Sequence, residues 1–322
     1  MFPIVHEKAG TTQLRASPRG DATFETGTRW VGCGGGAAGL RGIQKRCLAA
    51  GCVLIVICTA QCKCGVNQCV SGKDNVVIDI HCHLLPEVDD GPKSWDVAVE
   101  MCRMAAADGI THTVATPHAN DRYAYDRAYL SGLLLQLQEK IDPALKLQFS
   151  LGCDFHLSFE NLERVLEQPH TYTIGETKYL LIELSNFSIP TQLGDCFVRL
   201  GDRGLTPILT HPERNPILQQ SPQRILELAE QGCLIQVTAS SLTGFWGERP
   251  EIVARWLLDR SAVHILATDA HDTKRRIPNL SRARVVAEKI VGAEYAEALV
   301  ESNPGAIVKG IPIPYCPRPV MD

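Results

Sequence analysis

Beyond residue 75 the chain alternates short apolar runs with longer amphipathic stretches. The runs predict seven strands, at residues 77–80, 111–115, 146–151, 179–184, 206–210, 234–238 and 263–268. Apolar positions at helical spacing predict helices over 94–108, 127–141, 159–167, 191–203, 223–231, 250–259 and 281–290. Ser94 reads as an N-cap, and Asp108 with Gly109, Arg203 with Gly204 and Gln231 with Gly232 supply stop signals. Strands separated by helices rather than hairpin turns need crossover connections, so the pattern predicts an α/β protein with parallel strands.

Residues 1–75 break this pattern. They hold Gly-rich and Arg-rich patches, and their one long apolar run, 47–60, has 14 residues. A bilayer-spanning helix needs about 20, and Cys52 precedes most of the run, where a lipoprotein cysteine would follow it. Cys58, Cys62, Cys64 and Cys69 match no common zinc spacing and have no histidine nearby. The expected organisation is a poorly ordered extension, 1–75, without enzymatic role, followed by one domain, 76–322. Val76 or Val77 is an expected initiator if its codon is an alternative start. N-terminal sequencing of natively expressed protein checks this, and a mature chain beginning near Met1 overturns it.

Charge and cysteine divide the same way. The 322 residues carry a formal −4, but the first 75 hold nine Lys/Arg against four Asp/Glu, so the other 247 carry −9. An acidic body disfavours nucleic acid as a partner. Seven of the thirteen cysteines also lie in the first 75 residues. An odd total without regular spacing argues against a secreted disulfide framework and for a reducing compartment.

The candidate chemistry lies where the predicted strands end. His81 and His83 follow the first strand, His118 the second and Asp154 the third; Glu183 ends the fourth; His211 follows the fifth, and Asp269 and His271 the seventh. In a barrel of parallel strands the C-terminal ends share one face, so these eight side chains converge. Each alone is more often a cap or surface group; their recurrence at one phase of six strand–helix units points to a shared site. His81 and His83 are two apart, as are Asp269 and His271, and on an extended chain both members of a pair leave the same side. Cys82 points the opposite way and is expected to be a small buried residue. His112 and His264, inside strand patterns, and His170, in a loop, read as structural or surface histidines.

Eight nitrogen and oxygen ligands exceed the coordination of one ion, so two or three divalent ions are expected. Imidazole and carboxylate without thiolate favour manganese, iron or zinc over calcium or copper. Ions about 3.5 to 4 Å apart suit phosphate-ester hydrolysis. Arg214, three residues beyond His211, and Arg276, five beyond His271, are placed to grip phosphoryl oxygens, against the plainer reading of solvated surface arginines. For Asp90, seven residues beyond His83, a turn, a metal ligand and a proton donor all stay open. The cysteine-phosphatase signature Cys-x5-Arg is absent.

The strings IDIHCHLLPEVDDGP at 78–92, ATPH at 115–118, GCD at 152–154, LIE at 181–183, HPERN at 211–215, QVTASSLTG at 236–244, TDAH at 268–271 and NPGAIVKG at 303–310 resemble, in order and spacing, the PHP (polymerase and histidinol phosphatase) superfamily. More narrowly they resemble its CpsB/YwqE-like branch, bacterial metal-dependent protein-tyrosine phosphatases of capsular and exopolysaccharide operons. The resemblance covers residues 76–315. It implies a distorted seven-stranded, TIM-like (β/α)7 barrel holding a trinuclear, typically manganese centre. By that resemblance the first ion takes His81, His83, a bridging Asp154 and Asp269. The second shares Asp154 and adds Glu183 and His211, and the third uses His118, His271 and Asp90. Arg214 and Arg276 match the positions that hold the substrate phosphate, and Asp90 stays open as a catalytic group. Two departures stand out: some relatives have glutamate at the Asp154 position, and Glu87 replaces a common glycine.

The implied activity is hydrolysis of phosphotyrosine on a bacterial tyrosine autokinase of polysaccharide export. That would make the protein a cytoplasmic enzyme, reaching the membrane only through the kinase, with a homo-oligomer left open. The rival readings are a PHP phosphoesterase for a small molecule such as histidinol phosphate, and a non-catalytic regulatory protein of the export machinery. The complete ligand set argues against the last.

Overall fold

A computed structural model of the chain describes residues 76–321. The expected extension, 1–75, lies outside the described residues. Nine strand segments run through the described part: β1 (Val77–Cys82), β2 (Ile110–Ala115), β3 (His118–Ala119), β4 (Gln148–Leu151), β5 (Asp154–His156), β6 (Tyr179–Glu183), β7 (Thr206–Thr210), β8 (Leu234–Thr238) and β9 (Ile265–Ala267). All pairings are parallel, in a sheet ordered β1-β2-β4 and a second ordered β3-β5-β6-β7-β8-β9.

Nine segments arise from seven predicted strands because the second and third are each interrupted. After β2 comes Pro117, which has no N–H to give a ladder, and pairing resumes at His118 in the other sheet. After β4 the chain bends at Gly152, whose N–H donates to Ala115 O at 2.8 Å. A Cβ there would meet side chains of Ile174 and Val114 at 3.1 Å, so the bend packs closely only around glycine. Both interruptions sit immediately before a candidate ligand, His118 and Asp154. A parallel bridge between Cys82 and Ala270 ties the end of β1 to the chain after β9.

The predicted helices appear within two residues at each end as α1 (Trp95–Ala107), α2 (Arg127–Lys140), α3 (Phe159–Glu167), α4 (Leu193–Asp202), α5 (Gln223–Glu230), α6 (Glu248–Asp259) and α7 (Ser281–Val291). Ser94 Oγ accepts from Val97 N–H, as a cap should. Two short helices, α8 (Ala293–Ala298) and α9 (Ser302–Val308), were not foreseen. α9 carries Asn303, whose side chain donates to His264 O at 2.9 Å and Tyr315 O at 2.7 Å. No helix among the described residues is long and apolar enough to cross a membrane.

Strand alternation builds the interior in two layers. On β6, Leu180 and Ile182 pack outward against the helices, whereas Tyr179 and Leu181 join Ile78, Ile80, Val114, Ile208, Leu234 and Ile265 in an inner apolar cluster. Glu183 continues the inward phase of Tyr179 and Leu181, as Gln236 continues that of Leu234 and Asp269 that of Ile265 and Ala267. On β1 the phase changes: Ile78 and Ile80 are inner, and a register shift between Asp79 and Cys82 turns His81 and His83 towards the candidate site. Cys82 is fully buried on the outer side, as its spacing predicts.

Candidate metal centre

The fold brings seven of the nine predicted ligand positions into three close groups. His81, His83 and Asp154 form one; His118, Asp154 and Glu183 a second; His83, Asp90, His118 and His271 a third, with one ligand atom per residue and all atoms of a group within 4.8 Å of one another. Asp269 stands at the first group through Oδ1, 3.4 Å from His81 Nε2 and 3.5 Å from His83 Nε2. His211 belongs to none of the three. Its Nε2 lies 3.9 Å from Glu183 Oε1, and its ring centroid 5.6 Å from that of His81. The structure thus sets His118, rather than His211, closest to the Asp154–Glu183 pair, at 3.2 and 3.8 Å.

Two of the imidazoles, those of His81 and His83, are aimed by a partner on the far nitrogen. Gln236 Oε1 lies 2.9 Å from His81 Nδ1, and Asp89 Oδ2 lies 2.7 Å from His83 Nδ1. An oxygen acceptor holds a proton on Nδ1, so that Nε2 is the nitrogen turned inward and open to a cation in place of a proton. Asp89 is itself fixed by N–H donations from Gly91 at 2.9 Å and His118 at 3.2 Å. Asp79, fully buried, accepts from Thr268 N–H at 3.0 Å and clamps the β1 end to the chain after β9.

Burial disfavours charge throughout the cluster, yet mutual attraction overrides it at several groups. Burial raises Asp154, but His81 and His118 outweigh it and hold the carboxyl well below the usual range. Asp269 is held well below in the same way, by Arg214, Arg276 and His81. His81 is lifted to about 9 against burial by Asp154 and Asp269, and His118 to about 11 by Asp154 and Asp90. His83 falls to about 4, from burial and the neighbouring His271. Asp90 is held far below the carboxylate range by the rings of His118 and His271 beside it, 3.4 and 3.3 Å from its Oδ1.

Arg214 and Arg276 meet on one atom. Both donate to Asp269 Oδ2, Arg276 at 2.6 Å and Arg214 more closely still. The two oxygens of Asp269 are therefore divided between histidines and guanidinium groups. His211 and Asp269 both sit at positive φ, 35° and 51°, conformations that cost non-glycine residues energy and cluster at functional sites.

Among the candidate ligands, three buried atoms have no hydrogen-bond partner: His118 Nδ1, Asp154 Oδ2 and His271 Nε2. Unsatisfied buried nitrogen and carboxylate oxygen, directed at one another across gaps of 3 to 4 Å, fit a site built for cations rather than for internal hydrogen bonds.

The sequence reading missed several contributors. Gln236 lies on the one predicted strand without a terminal histidine or carboxylate, and its signal is a polar residue inside an apolar run. Asp89 was passed over in favour of its neighbour Asp90. His156 repeats the two-residue spacing after Asp154, and its Nδ1 lies 3.6 Å from Glu183 Oε2. His112, His264 and His170 are engaged elsewhere: His112 with Ser150 Oγ, His264 as acceptor from Ile235 N–H, and His170 near Thr177 O.

The family described as capsular polysaccharide synthesis, CpsB/CapC, matches residues 77–309. Tyrosine-protein phosphatase YwqE of Bacillus subtilis is 32% identical over 228 residues, 70% of this chain and 89% of that protein. Putative tyrosine-protein phosphatase CapC of Staphylococcus aureus is 34% identical over 202 residues, 62% of this chain and 79% of its own. A chain from the crystal structures of YwqE from Bacillus subtilis and CpsB from Streptococcus pneumoniae, described there as unique metal-dependent tyrosine phosphatases, matches with a TM-score of 0.70 at 31% identity. That match covers 76% of this chain and 100% of the other. The ordered histidines, carboxylates and paired arginines thus sit on a fold and sequence shared along most of the described length, and the chain belongs to the CpsB/CapC family of capsular polysaccharide synthesis.

Proposed function

We propose that residues 76–322 form a metal-dependent protein-tyrosine phosphatase that removes phosphate from a bacterial tyrosine autokinase of capsule or exopolysaccharide synthesis. The observation that carries this reading is Asp269, which joins a histidine–carboxylate cluster to two arginines through opposite oxygens. Relatives named as tyrosine phosphatases support the substrate class. The bridge from Cys82 to Ala270 and the two bent strands support reading both sheets as one distorted barrel.

Ligand assignment follows the cluster. His81, His83, Asp154 and Asp269 would hold a first ion, Asp154, Glu183 and His211 a second, and His118, His271 and Asp90 a third, with His118 also near the second. Asp90 is an ionised carboxylate between two histidines, which favours a ligand role over proton donation. When bound, divalent ions supply Lewis-acid charge for phosphoryl oxygens and acidify the attacking water; manganese fits the donor set best, with iron or zinc as alternatives. Arg214 and Arg276 hold equatorial phosphoryl oxygens and stabilise charge as it grows in the transition state. The tyrosyl oxygen, with pKa about 10, leaves without a strong general acid. A cytoplasmic location, with membrane contact only through the kinase, follows from this substrate.

Assays of a phosphotyrosine peptide and of histidinol phosphate, each with added manganese and again after chelation, test the reading. Chelator-sensitive hydrolysis of the peptide is expected. Preference for histidinol phosphate would redirect the substrate, and no chelator-sensitive hydrolysis of either would end the enzyme reading. His211→Ala and Asp269→Ala should each lower turnover at least about a hundredfold and reduce bound metal, with far-UV circular dichroism unchanged. Near-normal turnover in either variant would refute the assignment.

A further inference from the structure

Both candidate phosphate-binding arginines meet the same indole. The guanidinium carbon of Arg214 lies 3.9 Å from the centroid of the Trp246 ring, and that of Arg276 lies 5.4 Å from it. The negative face of an indole attracts a guanidinium, and a planar stack restricts rotation of the fork. Arg214 is otherwise held through one nitrogen, Nη1, which donates to Asp269 and to Thr238 Oγ1 at 3.3 Å, and Arg276 through Asp269 and a looser approach of Nη1 to Asp90 Oδ2 at 4.0 Å; the ring adds a restraint on the face of each guanidinium.

Trp246 is itself held in place. Its Nε1–H donates to Ser240 Oγ at 2.9 Å, and Phe245 packs edge-on at 5.1 Å with the rings at 90°. The segment carrying it is turned at Gly244 and Gly247, with φ of 80° and 92°. The ring also borders a cavity of about 390 Å³, with His211, Glu183, Arg214 and Pro250 on its other sides. Arg214 and the ring therefore line open space next to the cluster.

We propose that Trp246 is a positioning residue: it holds the planes of Arg214 and Arg276 so that their remaining N–H donors face the phosphoryl group of the substrate. The identity of the substrate rests on the tyrosine-phosphatase reading, whereas the grip on phosphate does not.

The test uses the manganese-loaded chain with Trp246→Leu, which keeps apolar bulk without a π face, and Trp246→Phe, which keeps a π face without the Nε1 donor. Inorganic phosphate affinity is measured by calorimetry, KM and kcat on a phosphotyrosine peptide, and bound manganese by metal analysis. Trp246→Leu should weaken phosphate binding about five- to thirtyfold, the span of one or two cation–π contacts. KM should rise by a similar factor, kcat should fall less, and manganese content should stay at the wild-type value. Trp246→Phe should recover most of the phosphate affinity. Wild-type affinity in the leucine variant overturns the proposal. So does a phenylalanine variant as weak as the leucine one, which would assign the effect to the Ser240 hydrogen bond. If the leucine variant does not fold, the phenylalanine variant decides: affinity within about threefold of wild type supports the role, and a loss above about tenfold overturns it. If phosphate affinities separate as stated but no protein hydrolyses phosphotyrosine, the substrate reading fails and the positioning role stands.

Discussion

Glu87 has φ of 62°, a backbone conformation that favours glycine, and an exposed side chain. Its N–H donates to Pro92 O at 3.0 Å, which fixes the turn that carries Asp89 and Asp90 to the cluster. A side chain in the left-handed region costs about 1 to 2 kcal/mol, partly offset by the greater freedom glycine gives the unfolded chain. Glu87→Gly is therefore expected to stabilise the protein by about 0.5 to 1 kcal/mol in urea unfolding; a net loss of stability would rule out strain at this turn. At this scale the candidate ligands were legible, because His, Asp and Glu at one strand phase are visible one residue at a time. Asp89, Gln236 and Trp246 were not, since each acts on a side chain more than a turn away in sequence and only folding sets the contact. Gln236 and His81 are 155 positions apart.

Helix α7 begins without a cap of its own, since Leu280 occupies the capping position. Asp108, just past the end of α1, serves instead. Its Oδ2 accepts from the backbone N–H of Leu280 at 2.6 Å and of Ser281 at 3.0 Å, and its Oδ1 from Ser281 Oγ at 2.5 Å. Asp108→Ala should lower stability by about 1 to 2 kcal/mol and speed hydrogen exchange in the first turn of α7; unchanged unfolding and exchange would show the cap to be idle. The sequence placed Asp108 as the end of one helix, which it is, but its second use depends on two helices meeting. Elements were legible for a related reason. Strand and helix periods are local, so α1 to α7 and the seven strand regions stand out, whereas the breaks at Pro117 and Gly152 divide runs that still look continuous. The short α8 and α9 lack the length over which a period can be read.

Across the whole molecule, the candidate metal cluster and the two candidate phosphate-binding arginines meet at Asp269, whose Oδ1 faces His81 and His83 while Oδ2 takes both guanidinium groups. Whatever draws on its negative charge from one side frees donors on the other. Phosphate is expected to bind the manganese-loaded protein at least about fivefold more tightly than the chelator-treated protein, and manganese affinity should rise by the same factor when phosphate is present. Two calorimetric titrations close this cycle. Equal phosphate affinities with and without manganese would separate the two sites. Reciprocity of this kind has a physiological edge: inhibition by released phosphate and retention of the metal become one free energy measured from two sides. A substitution that relieves product inhibition by weakening this coupling must take the same factor from the gain in manganese affinity that phosphate confers.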